Sequence, residues 1–152
     1  MMNLDSKRLV SKIKDFDRLT VAGIQYAAFI SGKQLKTATS KEILRKPKSG
    51  RVYIRRTASG RRRRHVASAA GETHANMTGT LRRSLSFRVN TTSLEFGYGV
   101  TKGNAPNYAK FVENGTRKMG PRPSLMNGIK ATRRSFQNNF EREIGKRIGA
   151  LV

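Results

Sequence analysis

An α+β fold, with long N-terminal and C-terminal helices packed on a small antiparallel β-sheet, is predicted by three features of the sequence. Near the start, Leu9, Ile13, Phe16, Gly23, Ala27 and Ile30 recur at steps of three, four or seven and so share one helical face. Near the end, Leu125, Ile129, Phe136, Phe140, Ile144 and Ile148 do the same. Between them, residues 86–90 and 93–100 alternate apolar and polar side chains, the period of a strand.

The first helix is predicted over residues 5–37, with 36–46 continuing it for a few turns and Pro47 stopping it. A basic belt follows: between residues 41 and 64, eleven side chains are Lys or Arg and only Glu42 opposes them. Within it, residues 51–55 (Arg-Val-Tyr-Ile-Arg) have the β-branched and aromatic content of a short strand. Residues 57–77 are rich in Ala, Ser, Gly and Arg without an apolar period, and are expected to form a long, irregular, mobile basic loop. Thr78 offers a helix cap for a short turn.

The two alternating segments make a hairpin turning at Asn90, Thr91 and Thr92, with Phe87, Val89, Leu94, Phe96 and Tyr98 toward the core. Residues 107–114 are expected to form a short amphipathic helix with Tyr108, Phe111 and Val112 inward, ended by Gly115. Pro121 and Pro123 set a rigid turn before the last helix, residues 124–151. The chain thus reads as one domain in four parts: 1–46, 47–77, 78–123 and 124–152.

Composition narrows the function classes. With 36% apolar residues the core is small, and some segments are expected to order only against a partner. The net charge of +23, from 32 basic and 9 acidic residues, calls for a polyanionic neighbour. Without cysteine there is no disulfide and no thiolate metal site. Charges at the N-terminus argue against a signal peptide, and no apolar stretch suffices for a membrane span, so a soluble protein made in a reducing cytoplasm is expected.

Catalytic chemistry finds little support. His65 and His74 both fall in the expected loop and read as solvated, too few for a zinc site. Glu72 beside His74 makes no acid–base device without a pocket. Gly97, Gly99 and Gly103 do not match a phosphate-binding loop, which needs Lys-Ser or Lys-Thr after its second glycine. No enzyme activity, metal or cofactor is expected.

One stretch is specific: Asn107-Tyr108-Ala109-Lys110-Phe111-Val112-Glu113-Asn114-Gly115-Thr116, followed by Lys118-Met119 and by Pro121-Arg122-Pro123. Upstream stand Thr78-Gly79-Thr80-Leu81-Arg82-Arg83-Ser84 and Ala67-Ser68-Ala69-Ala70-Gly71-Glu72. In this order, over residues 51–131, they resemble the neck or tail-completion (head–tail connector) family of long-tailed bacteriophages that includes minor tail protein Z of lambda. Ser124 departs from the family pattern, which often has an aromatic residue there, so packing at the start of the last helix is expected to differ.

The resemblance implies a structural virion protein: a ring of six or twelve copies between head connector and tail terminator, made in the host cytoplasm and carried in the virion neck. Its neighbours would be those connector and terminator proteins, with genome DNA passing through the channel and no membrane involved. The family residues carried over are Thr78, Gly79, Leu81, Arg82, Ser84, Tyr108, Phe111, Val112, Glu113, Gly115, Thr116, Met119, Pro121, Arg122 and Pro123, read as a fold-defining corner. The family pattern assigns no role to Arg55, Arg56, Arg61, Arg62, Arg63 and Arg64, whose charge alone makes them candidates for contact with DNA or an acidic partner. Bare composition also fits a second class, a basic nucleic-acid-binding protein.

Overall fold

The computed structural model describes residues 3–45, 47–91, 93–101 and 105–149, and their side chains except those of 3–10 and 148. The side chains of Leu9 and Ile148, and the whole of Lys46, Thr92, Gly103 and Leu151, lie outside the described residues. Eight elements follow one another: α1 (Asn3–Leu44), β1 (Val52–Arg56), β2 (Arg62–Val66), α2 (Thr80–Arg83), β3 (Leu85–Val89), β4 (Leu94–Tyr98), α3 (Ala109–Asn114) and α4 (Ser124–Gly149). The class is α+β, with the two long helices as its frame.

α1 and α4 run antiparallel: Gly23 lies against Arg147 and Glu143, Ser31 meets Asn139, and Thr39 lies under Gly128. The buried line on α1 is Gly23, Ala27, Ala28, Ser31, Gly32, Leu35, Thr39 and Ile43; on α4 it is Ser124, Gly128, Asn139 and Glu143. Small side chains on both helices let the backbones approach closely, as ridge-and-groove packing requires at a tight crossing. Asn139, 4% exposed, spans the seam by donating to Ser31 Oγ at 3.1 Å and Gln34 Oε1 at 2.8 Å.

This overturns the expected inner faces. Gly23 and Ala27 are buried, but Ile13 and Phe16 are exposed because the first turns of α1 extend past the packed part of α4. On α4, Leu125, Phe140 and Ile144 are half-buried, and Ile129 and Phe136 are exposed. The close seam has no room for this large stripe, which is rotated to its flank.

The other side of α1 packs on β3 and β4. Their antiparallel register pairs Leu85 with Tyr98, Phe87 with Phe96 and Val89 with Leu94, so the expected apolar face forms. Phe87 covers Gly32 of α1 and packs against Phe29, ring centroids 5.8 Å apart. The turn closes through Asn90 N–H to Ser93 O at 2.9 Å.

Residues 57–77 are not the irregular loop expected. β2 pairs with β1 across a five-residue connection, residues 57–61, that includes Gly60 at φ 76°, giving a second two-stranded sheet separate from β3–β4. Arginines occupy the positions where alternation would have shown apolar side chains, which hid the strand from the pattern. Residues 67–76 then cross from the hairpin to the start of α4, tied down by hydrogen bonds on both sides.

Candidate functional site

Stretches distant in sequence meet at one corner. α3 ends at Gly115, whose φ is 78°. A Cβ there would stand 2.7 Å from the Met119 carbonyl oxygen and 2.8 Å from the Pro121 nitrogen, so both conformation and space demand glycine. Thr116 and Met119 bridge the turn, with Thr116 N–H donating to Met119 O at 2.7 Å. The chain then doubles back, and Arg122 N–H donates to Val112 O at 2.8 Å.

After Pro123 comes α4, whose first N–H groups have no acceptor within their own helix. Glu113 provides one. Its carboxylate accepts from Ser124 N–H at 3.0 Å, Leu125 N–H at 2.8 Å and Met126 N–H at 3.3 Å. The negative charge also faces the positive end of the helix dipole.

The upstream segments close the corner from behind. The Arg122 guanidinium donates twice to the Ser68 carbonyl, at 3.1 and 3.0 Å, and Gly71 N–H donates to Pro121 O at 2.8 Å. Glu72 gathers Ser49 Oγ at 2.6 Å, Ser49 N–H and Ala69 N–H at 2.9 Å. Those bonds, the Ser49 hydroxyl first, hold its carboxyl below the usual range. Thr73 Oγ1 donates to Glu42 O at 2.8 Å, fastening the same segment to the end of α1.

His74, expected to be solvated, is only 6% exposed. Its Nδ1 lies 2.7 Å from Ser124 Oγ, and its N–H donates to the same oxygen at 3.2 Å. Desolvation, with a smaller contribution from Lys48, lowers its pKa to about 4 and keeps the ring neutral. Tyr98 stacks edge-on beside it, and burial first, then Glu113, pushes the phenol well above its ordinary range. The Tyr98 hydroxyl faces Glu113 and Ser124 without meeting either in hydrogen-bond geometry. Ser124 is fully buried, so its contact with His74 pins two segments together and offers no nucleophile to a substrate. The imidazole thus packs directly beside the small, buried serine side chain.

The short turn α2 completes the constellation. Gly79, at φ 78°, takes the N-cap position in place of Thr78, whose hydroxyl instead accepts from Thr80 N–H at 3.4 Å. Leu81 is buried, Arg82 is half-buried, and Ser84 links α2 to β4 through Gly99 N–H on its carbonyl at 2.7 Å. Thr78, Gly79, Leu81, Tyr108, Val112, Met119 and Arg122 line one open cleft of about 290 Å³. Phe111, Glu113, Gly115, Thr116, Pro121 and Pro123 do not line it. Tyr108 and Phe111 are not inward: each is 46% exposed, and Ala109 is the buried residue of α3. A helix of six residues, lying over the corner, has room to bury only its smallest side chain.

Two surfaces stand apart from this corner. Every side chain of β1 is exposed, as are Arg61, Arg62, Arg63 and Arg64, so the basic candidates all lie on the projecting ribbon. The α4 flank presents Phe136 stacked on Phe140, centroids 4.7 Å apart, with Ile144 beyond. Sequence reasoning missed Ser68, Thr73 and His74 as organisers of the corner; Ser68 acts through its carbonyl, which carries no side-chain signature.

Among the described residues, no group of three His, Cys, Asp or Glu side chains is placed to hold a metal ion, and no helix is long and apolar enough to cross a membrane. Comparison of the chain with protein-family models, curated proteins and solved structures finds no match.

Proposed function

We infer that this chain is a structural subunit of a tailed-phage neck, part of the ring that joins head connector to tail. The observation that carries the reading is the joint placement of the resembling segments. Residues 67–72, 78–84 and 107–123 fold into one corner, in which Arg122, Glu113, Gly115 and Gly79 each have a structural task. A resemblance by chance has no reason to concentrate its matched residues at one packing junction.

The surface is consistent with a subunit that works in contact with others. Tyr26 and Phe29 on α1, and Ile129 and Phe136 on α4, are large apolar side chains left exposed. Neighbouring copies and adjoining ring proteins would cover such faces in an assembly. The reading implies no catalysis and no cofactor.

The test is particle morphology. Deleting the gene from its phage is expected to yield filled heads and complete tails that do not join, and the wild-type protein added to an extract is expected to restore joining. Electron microscopy of purified particles should then locate the protein as a ring at the head–tail junction. Normal tailed particles from the deletion would overturn the reading.

A further inference from the structure

We propose that the β1–β2 ribbon is an arm that binds duplex DNA through its phosphates. Residues 51–66 contain seven arginines and no acidic residue. The pairing register sets Arg55 opposite Arg63 and Arg56 opposite Arg62. Like charges directly opposite on adjacent strands destabilise a ribbon. This one has no salt bridge to relieve them among the described residues and no packed face of its own. Its form is nonetheless well defined: Thr57 N–H donates to Arg61 O at 2.8 Å and Gly60 N–H to Thr57 O at 2.9 Å. A ribbon that keeps such a register is arranged for an external counter-charge.

Several features favour nucleic acid over an acidic protein. Opposed residues in an antiparallel pair share a face, so one face carries Arg56, Arg62 and Arg64 and the other Arg55 and Arg63. Charge on both faces suits a ribbon flanked by phosphates on two sides, whereas docking on a protein uses one face. The major groove of duplex DNA admits a two-stranded ribbon. All the charges are arginine, whose planar fork matches phosphate oxygens. Ile54, 72% exposed in the middle of the ribbon, and Tyr53, under the Arg51 guanidinium, add apolar and flat contact area. A second copy of this chain offers the arm little counter-charge, since it holds 9 acidic residues against 32 basic ones.

The proposal stands on the ribbon alone and holds whether or not the chain is a neck subunit. The full chain would be titrated by fluorescence anisotropy into a labelled 20-base-pair duplex at several salt concentrations. Three proteins would be compared: wild type; a ribbon variant combining Arg55→Gln, Arg56→Gln, Arg62→Gln and Arg63→Gln; and a control combining Lys14→Gln, Lys130→Gln, Arg133→Gln and Arg134→Gln, all exposed positions on the long helices and outside the ribbon. Each phosphate contact adds about 0.9 to the slope of log affinity against log salt, so the ribbon variant should lose about 3 to 4 from that slope and the control less than about 1. A version with the same four ribbon positions changed to Lys should keep the slope, which separates loss of contact from loss of fold. Equal losses in ribbon and control variants, or a ribbon variant that binds like wild type, would overturn the proposal. So would polyglutamate or phosphatidylglycerol vesicles competing with the duplex at equal charge concentration, since the arm would then serve a protein or a lipid surface.

Discussion

Glu113 caps a helix to which it does not belong: its carboxylate accepts the N–H of Leu125, in the first turn of α4, at 2.8 Å. It also accepts from Met126 N–H and from Ser124 N–H, which it shares with the Arg122 carbonyl, so one side chain on α3 accepts from three successive donors at that end. Glu113→Ala is expected to destabilise the fold by about 2 kcal/mol, the cost of losing a charged cap. Glu113→Gln keeps one acceptor oxygen and should cost about half as much. Urea denaturation midpoints of the three proteins measure this, and an unchanged midpoint for the alanine variant would refute the capping role.

Gly115→Val should be more damaging than a surface substitution of similar size. The β-branched side chain must adopt φ near 78° and place its Cβ 2.7 Å from Met119 O. Strain of this kind costs on the order of 1–3 kcal/mol before any steric clash is added. Gly60→Ala, also at positive φ but with nothing within 4 Å of the added Cβ, isolates the backbone term and should cost less. Thermal melts that rank the two variants in the opposite order would contradict the geometry.

Acid should weaken the fold in two steps. His74 binds its proton near 6.5 when unfolded and near 4 when folded. Between those values the unfolded chain holds more protons, so this contribution is complete above pH 6.5 and is lost as pH falls toward 4. After allowance for solvent screening its size is about 1–3 kcal/mol. Glu72 and Glu143 are held below the usual carboxyl range, Glu72 by Ser49 and Glu143 by Lys146 and Arg142 against an opposing desolvation. Their contributions therefore persist through that window and fall away only below about pH 4.5. Stability measured from pH 4.5 to 7 should slope in the wild type and flatten in His74→Asn. A parallel slope in both would place the titration elsewhere.

The fold class was legible because its largest signals are local. Helical recurrence in α1 and α4, alternation in β3 and β4, and the glycine that ends α3 each follow from a few neighbouring residues. The inner faces were misread for a physical reason. Apolar periodicity locates the greasiest stripe of a helix, but the α1–α4 seam selects for smallness, and Gly128 meeting Thr39 leaves no mark on a hydropathy pattern. β2 was hidden because its strand content is arginine. The corner was half legible: the residues stood out together, yet the bonds that make it, Arg122 to the Ser68 carbonyl and Ser124 to His74, join positions about fifty residues apart.

The flank of α4 gives the reading as a ring subunit a local test. Phe136 is 39% exposed and stacks on Phe140, while the adjacent seam is closed by Asn139 and Glu143 without using either ring. Phe136→Ser should therefore cost the isolated protein only the stacking and partial burial of one ring, about 1 kcal/mol. If neighbouring copies cover the flank in a neck ring, the same variant should stay folded yet fail to join heads to tails. Its partner control is Lys130→Ser, exposed on the same helix and outside the stack, which should join particles normally. Circular dichroism reports the fold, and complementation of the gene deletion counts joined particles. Full complementation by Phe136→Ser would mean that this flank faces solvent in the assembly, and the contact between copies would have to be sought elsewhere.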